Sequence, residues 1–84
     1  MILHTINKPA AWKKYSKLIK QDDYIVLLED GIYLDLAEMN RVYAIKSDVE
    51  ARGFIKKLHQ QVQIIDYGEF VKLCTQAEKI CAWF

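Results

Sequence analysis

The stretch Tyr24–Asp35, YIVLLEDGIYLD, decides the fold. Its first five residues form a continuous apolar run rather than an alternating one, the pattern of a strand covered on both faces in a parallel sheet. The run breaks off in Glu29, Asp30 and Gly31 and turns apolar again at once. A central strand ending this way sets its acids at the carboxyl edge of a sheet, where open α/β proteins bind their ligands.

Working outward, Met1 to Ile6 (MILHTI) reads as a first strand that stops where Pro9 enters. Between Pro9 and Gln21 the residues Ala11, Trp12, Tyr15, Leu18 and Ile19 recur at helical spacing, with lysines on the other face. After Gly31, the spacing of Ile32, Tyr33, Leu36 and Met39 predicts a short helix ending near Asn40. Arg41 to Lys46 (RVYAIK) gives a third strand. Ser47 and Glu50 have capping-box spacing, so SDVEARG predicts a short helix opened by Ser47 and closed by Gly53. Phe54 to Gln61, which carries Lys56, Lys57 and His59, either extends that helix or forms a loop. Val62 to Asp66 is a fourth strand, and Asp66 with Glu69 opens a helix from Tyr67 to about Gln76. Strands alternating with helical segments predict a small open three-layer α/β sandwich, with a mostly parallel sheet of four to five strands and helices on both faces.

The 84 residues are enough for one domain, residues 1–84, and too few for two. A chain of this size buries roughly 60–65% of its unfolded surface, while 52% of its residues are hydrophobic. That excess predicts a partner to cover it. A formal charge of +1 supplies no long-range field for holding phosphates, which argues against direct nucleic-acid binding. No apolar run reaches membrane-spanning length, and MILHTINKPAAW carries neither a charged leader nor a cleavage site, so a cytoplasmic location is expected.

Asp30 and Asp66 both follow predicted strands. Such a pair is a candidate general acid and base, or a cation site, set against ordinary turn and cap roles. Gly31, Gly53 and Gly68 match no phosphate-cradling pattern, and no cofactor or metal is implied. His4 lies in an apolar strand and reads as a packed core residue, while His59 sits in a polar segment. Cys74 and Cys81 would be about 10 Å apart on a continuous helix, beyond the ~7 Å disulfide limit, and read as free thiols. Cys74 falls on an apolar stripe, and Cys81 has only Lys79 nearby to lower its pKa. They are weak candidates for catalysis. The terminal ICAWF either folds back, with Trp83 and Phe84, on its own sheet or docks on another subunit.

Several colinear blocks together resemble one family. ILHTINK, LLEDGIY, VYAIKSDVEARGF, IIDYGEFVKL and the terminal AWF are similar to the TusB/DsrH family of sulfur-relay proteins across nearly the whole chain. The resemblance implies a DsrE-like fold and a place in a heterohexamer with TusC/DsrF-like and TusD/DsrE-like subunits. That complex takes persulfide sulfur from TusA and passes it to TusE, toward 2-thiolation of the tRNA wobble uridine; in the Dsr system it serves sulfur oxidation. It also implies that the relay cysteine sits on the TusD/DsrE-type subunit, leaving this chain a non-catalytic one. Some DsrH-type members carry a cysteine at the position matching Tyr15, and a phenol cannot carry a persulfide. Within this resemblance, Asp30, Gly31, Tyr33, Arg52, Asp66, Tyr67 and Trp83 are the expected subunit contacts, with Arg52 the charged anchor. The alternatives are a DsrH-type role in sulfur oxidation, a direct persulfide carrier through Cys81 or Cys74, and a self-associating ligand-binding module.

Overall fold

The computed structural model describes residues 1–36, 38–58 and 60–83. The readings placed on His59 and Phe84 lie outside the described residues. Five strands, β1 (Ile2–Ile6), β2 (Tyr24–Leu27), β3 (Arg41–Ile45), β4 (Gln63–Ile65) and β5 (Lys79–Trp83), alternate with three α-helices, α1 (Pro9–Tyr15), α2 (Lys46–Ala51) and α3 (Tyr67–Gln76). All pairings are parallel, in the order β4-β3-β2-β1-β5. The architecture is thus the expected open α/β sandwich.

The order explains why the helices take two faces. From β1 to β4 each crossover steps the same way, so right-handed connections put α1, α2 and the intervening turns on one side. The last crossover returns across the whole sheet to β5, and the same handedness puts α3 on the other side. Side chains divide accordingly. Ile6, Ile25, Leu27, Ala44 and Val49 pack beneath α1 and α2. Leu3, Val26, Ile45 and Ile65 pack beneath α3, against Phe70, Leu73 and Cys74. The chain exposes 5400 Å², close to the roughly 5200 Å² expected of a folded monomer of its 9.9 kDa mass. Its surface is therefore ordinary in extent.

Four local expectations give way to tertiary constraints. The first helix is shorter than its apolar stripe, because a helix over residues 9–21 would be about 20 Å long whereas a four-residue strand spans only ~13 Å. It ends at Tyr15, a 3₁₀ turn follows over Ser16–Leu18, and Leu18 is rotated out of the stripe to 63% exposure. Among the described residues no α-helix forms between Gly31 and β3. A 3₁₀ helix spans Glu29–Tyr33, after which the chain is extended at Leu34, and Ile32, Leu36 and Met39 still reach the core. Helix α2 starts straight from the strand at Lys46 with no side-chain cap, so Ser47 does not open it. Residues 55–57 form a separate 3₁₀ turn rather than extending α2.

Other local signals hold. Gly53 adopts φ +58° and donates to the Glu50 carbonyl (3.0 Å), while Phe54 donates to Val49 (3.0 Å), which completes a Schellman motif closing α2. Asp66 and Glu69 form the capping box of α3. The last segment is not helical: α3 ends at Gln76 and ICAW enters the sheet as β5, so Cys74 and Cys81 sit on different elements, both as free thiols.

Gly31 is needed for closeness rather than for a left-handed turn. A Cβ there would lie 2.1 Å from the Ile6 carbonyl oxygen, and the positive φ of the segment (50°) falls on Glu29 instead. Gly31→Ala is accordingly expected to cost about 1–3 kcal/mol or more through forced overpacking against backbone. Gly53→Ala, with open space around it, should cost only the left-handed penalty of ~1–2 kcal/mol. Urea unfolding of the two variants checks the order.

Candidate functional site

The carboxyl edge of the sheet is built by the turn after β2 and by α2. Glu29 sits in the left-handed region, unusual for a non-glycine residue, and its N–H donates to Asp48 Oδ2 at 2.9 Å. Asp48 lies in the first turn of α2, so its carboxylate is spent on holding a neighbouring turn rather than on capping its own helix. One turn on, Arg52 Nε donates to Asp30 Oδ1 at 3.0 Å, and its Nη1 lies 3.6 Å from Asp48 Oδ1. The hydrogen bond to Asp30 holds the Arg52 guanidinium above its ordinary pKa, so the group is permanently cationic. Tyr33 meets Phe54 edge-on at 5.0 Å. Beside them a cavity of about 120 Å³ is lined by Leu34, Lys57 and Leu58. That is well under the roughly 300 Å³ at which small-molecule sites begin.

A second cluster lies on the α1 side of β1 and β5. His4 is 2% exposed, its Nε2 is 2.8 Å from Asp23 Oδ2, and its Nδ1 accepts the indole N–H of Trp83 at 2.9 Å. An indole nitrogen only donates, so Nδ1 carries no proton and Nε2–H donates to Asp23. This fixes His4 as the neutral Nε2–H tautomer. Burial would raise the Asp23 pKa, but the hydrogen bonds from His4 and from the Lys20 N–H outweigh it and hold the carboxyl below its ordinary 3.8. Trp83 also stacks on Tyr15, with ring centroids 4.5 Å apart. His4 is thus the packed core residue expected of it, and the terminal tryptophan folds back on its own chain.

The residues singled out from sequence fall into three places. Asp30, Gly31, Tyr33 and Arg52 share one patch at the ends of β2 and β3. Asp66 and Tyr67 stand at the end of β4, and Trp83 is on β5 at the far side of the sheet. Asp30 and Asp66 do not form a joint acid site. Strand β3 lies between their strands, which are therefore roughly 9–10 Å apart; Asp30 binds Arg52, and Asp66 caps α3. Among the described residues no group of three His, Cys, Asp or Glu side chains is placed to hold a metal ion. Cys81 pairs with His4 across β1 and β5, and Cys74, on α3, packs against the core beneath that helix.

Asp48 and Asp23 escaped the sequence reading. Asp48 had a local signal, its i,i+4 spacing to Arg52 on a helix. Asp23 had none, since its partner His4 lies on a neighbouring strand.

The sequence profile described as DsrH like protein matches residues 8–80. Proteins named TusB from Salmonella typhi and Salmonella arizonae are each 32% identical to the chain over 96 aligned residues, covering 98% of it and 100% of the relative. Among the described residues no helix is long and apolar enough to cross a membrane.

Two outcomes follow from the His4 cluster. Because the Asp23 pKa is depressed on folding, the stability it contributes is present above about pH 4 and is lost as pH falls through the lower folded value. Asp23→Asn should therefore lower stability at neutral pH and flatten the acid limb of a pH–stability profile from urea unfolding. Trp83→Phe keeps most of the apolar contact but strands a buried acceptor on His4. It should cost about 1–3 kcal/mol, and nitrogen NMR of the native protein should show His4 Nδ1 unprotonated.

Proposed function

Because this chain belongs to the TusB/DsrH family of sulfur-relay proteins, we propose that it is a non-catalytic, cytoplasmic subunit of a heterohexamer with TusC/DsrF-like and TusD/DsrE-like subunits. The complex would pass persulfide sulfur from TusA to TusE for 2-thiolation of the tRNA wobble uridine. The observation that carries the reading is the character of the surface. Among the described residues, Tyr33 (47% exposed) and Ile55 (47%) flank Arg52, while Tyr67 (54%) and Val71 (58%) project from α3. Each is already about half-buried, so covering one contributes roughly half of the ~1.5–3 kcal/mol of a full burial, and a partner covering several of them gains the sum of these.

The same region supplies the proposed contacts. Arg52, held by Asp30 and Asp48, presents a fixed guanidinium between Tyr33 and the α2 end, and Arg is a favoured interface anchor. Gly31 sets the turn, and Asp66 with Tyr67 extends the surface along the strand ends. Trp83, half-buried against Tyr15, anchors β5 at the opposite end of the same edge. Tyr15 occupies the position where some DsrH-type members carry a cysteine, and here its ring is committed to stacking on Trp83. This favours the TusB branch over sulfur oxidation.

Arg52→Glu and Tyr33→Ala test the contacts. The Arg52–Asp30 ion pair lies at the surface, where water screens it and it adds little to folding, so both variants should stay folded yet fail to enter the hexamer on co-expression, read by size exclusion with light scattering. Trp83→Ala is a poorer probe, since removing a packed tryptophan costs about 3–5 kcal/mol of fold stability. The Cys74→Ser, Cys81→Ser double variant should restore tRNA 2-thiouridine in a strain lacking TusB as well as the wild type does. A failure to restore it, together with an adduct of one sulfur atom (about 32 Da) on the native chain that disappears in Cys81→Ser, would make the chain a carrier instead.

A further inference from the structure

Charge in this chain is balanced in total but not in space. Residues 8–20 carry five lysines and no acid, while the rest of the chain holds seven basic against eleven acidic residues, a balance of −4. The basic segment is α1 and the turn after it, which runs along the flank of the sheet where β5 is the edge strand. Between that turn and β5 lies an open groove of about 280 Å³. It is lined by Leu18, 63% exposed, by Cys81 and Trp83, by Lys20 and Lys79, and by Asp23, whose carboxylate is already taken up by His4 and the Lys20 N–H. Lys14 continues the basic edge, its ammonium 5.2 Å over the Tyr15 ring that stacks on Trp83.

We propose that this groove docks an acidic, leucine-bearing segment of a partner protein. With Asp23 already paired to His4 and the Lys20 N–H, the exposed Leu18 and the two lysine ammonium groups together ask for an apolar side chain carried between carboxylates. The groove lies near the lower limit of small-ligand sites, roughly 300 Å³, and so fits one or two side chains. A nucleic acid fits less well: its extended polyanion would meet the acidic remainder of the chain, and the groove offers it no open aromatic face, since Trp83 is already stacked on Tyr15. A second copy docking symmetrically would bring lysine against lysine. The inference does not depend on the sulfur-relay reading or on the Arg52 surface, which lies at the ends of β2 and β3.

The two cysteines supply the readout. Cys81 sits in the groove and Cys74 on the opposite face of the sheet, so each chain carries its own control. The probe is a short synthetic peptide of glutamates around a central leucine pair, run beside a matched peptide with glutamines in place of the glutamates and a short single-stranded oligonucleotide. The acidic peptide should slow maleimide alkylation of Cys81 but not of Cys74, shift the amide resonances of Leu18, Lys20 and Lys79, and lose its effect as salt rises. Lys20→Glu with Lys79→Glu should weaken binding roughly tenfold or more, and Leu18→Ala should weaken it without changing the salt dependence. All three side chains are exposed, and unchanged thermal unfolding verifies that the variants fold. Equal protection by the glutamine peptide, stronger protection by the oligonucleotide, protection of Cys81 by self-association alone in light scattering, or no protection at all would each overturn the proposal.

Discussion

The His4 imidazole is the joint on which the far side of this molecule turns. A buried neutral histidine must satisfy one donor and one acceptor, and here they reach in opposite directions: Nε2–H to Asp23 at the mouth of β2, Nδ1 to the indole of Trp83 at the end of β5. Leaving either unpaired in the core carries a full desolvation penalty. The ring thereby ties the last strand to the first crossover. Trp83 then holds Tyr15, and Tyr15 marks where α1 stops and the chain bends back toward β2. The early bend turns Leu18 outward and opens the groove beside β5.

The opposite side is organised by a different kind of constraint. Gly31 approaches the Ile6 carbonyl so closely that no side chain fits, which locks the turn after β2 onto the end of β1. The left-handed Glu29 that this turn requires is held by Asp48, and Asp48 shares Arg52 with Asp30. Asp30, Asp48 and Arg52 together hold the turn after β2 to helix α2. An edge already ordered in this way, bordered by exposed Tyr33 and Ile55, has little conformational freedom left to lose on any binding event.

These two arrangements show how a small domain serves as a subunit. Its exposed area is that of an ordinary monomer, and its main core is complete under α1 and α2. On the other face a single helix, α3, covers a five-stranded sheet and itself buries no residue fully. Apolar side chains are left on α3 and on both edge strands, Ile64 on β4 and Ile80 on β5. Open edges of this sort invite further pairing, and membership of a sulfur-relay family is in keeping with a surface made for association.

What the sequence determined by itself were the features whose physics is local. The apolar run of β2 announced a buried parallel strand, Asp66 and Glu69 announced the capped start of α3, and Gly53 the stop of α2, because each depends only on residues within a turn of one another. Family membership was legible for a related reason: the blocks around LEDGIY and IDY keep their order along the chain. Tertiary structure decided the rest. It shortened α1 to fit the sheet, replaced the helix after Gly31 with a 3₁₀ turn, and drew ICAW into the sheet as its fifth strand, since parallel pairing of β5 with β1 joins residues nearly eighty positions apart. For the same reason neither Asp23 as the partner of His4 nor the meeting of Leu18 and Lys20 with Lys79 and Cys81 of β5 could be read from the chain. Both arise only when the crossovers bring distant strands side by side.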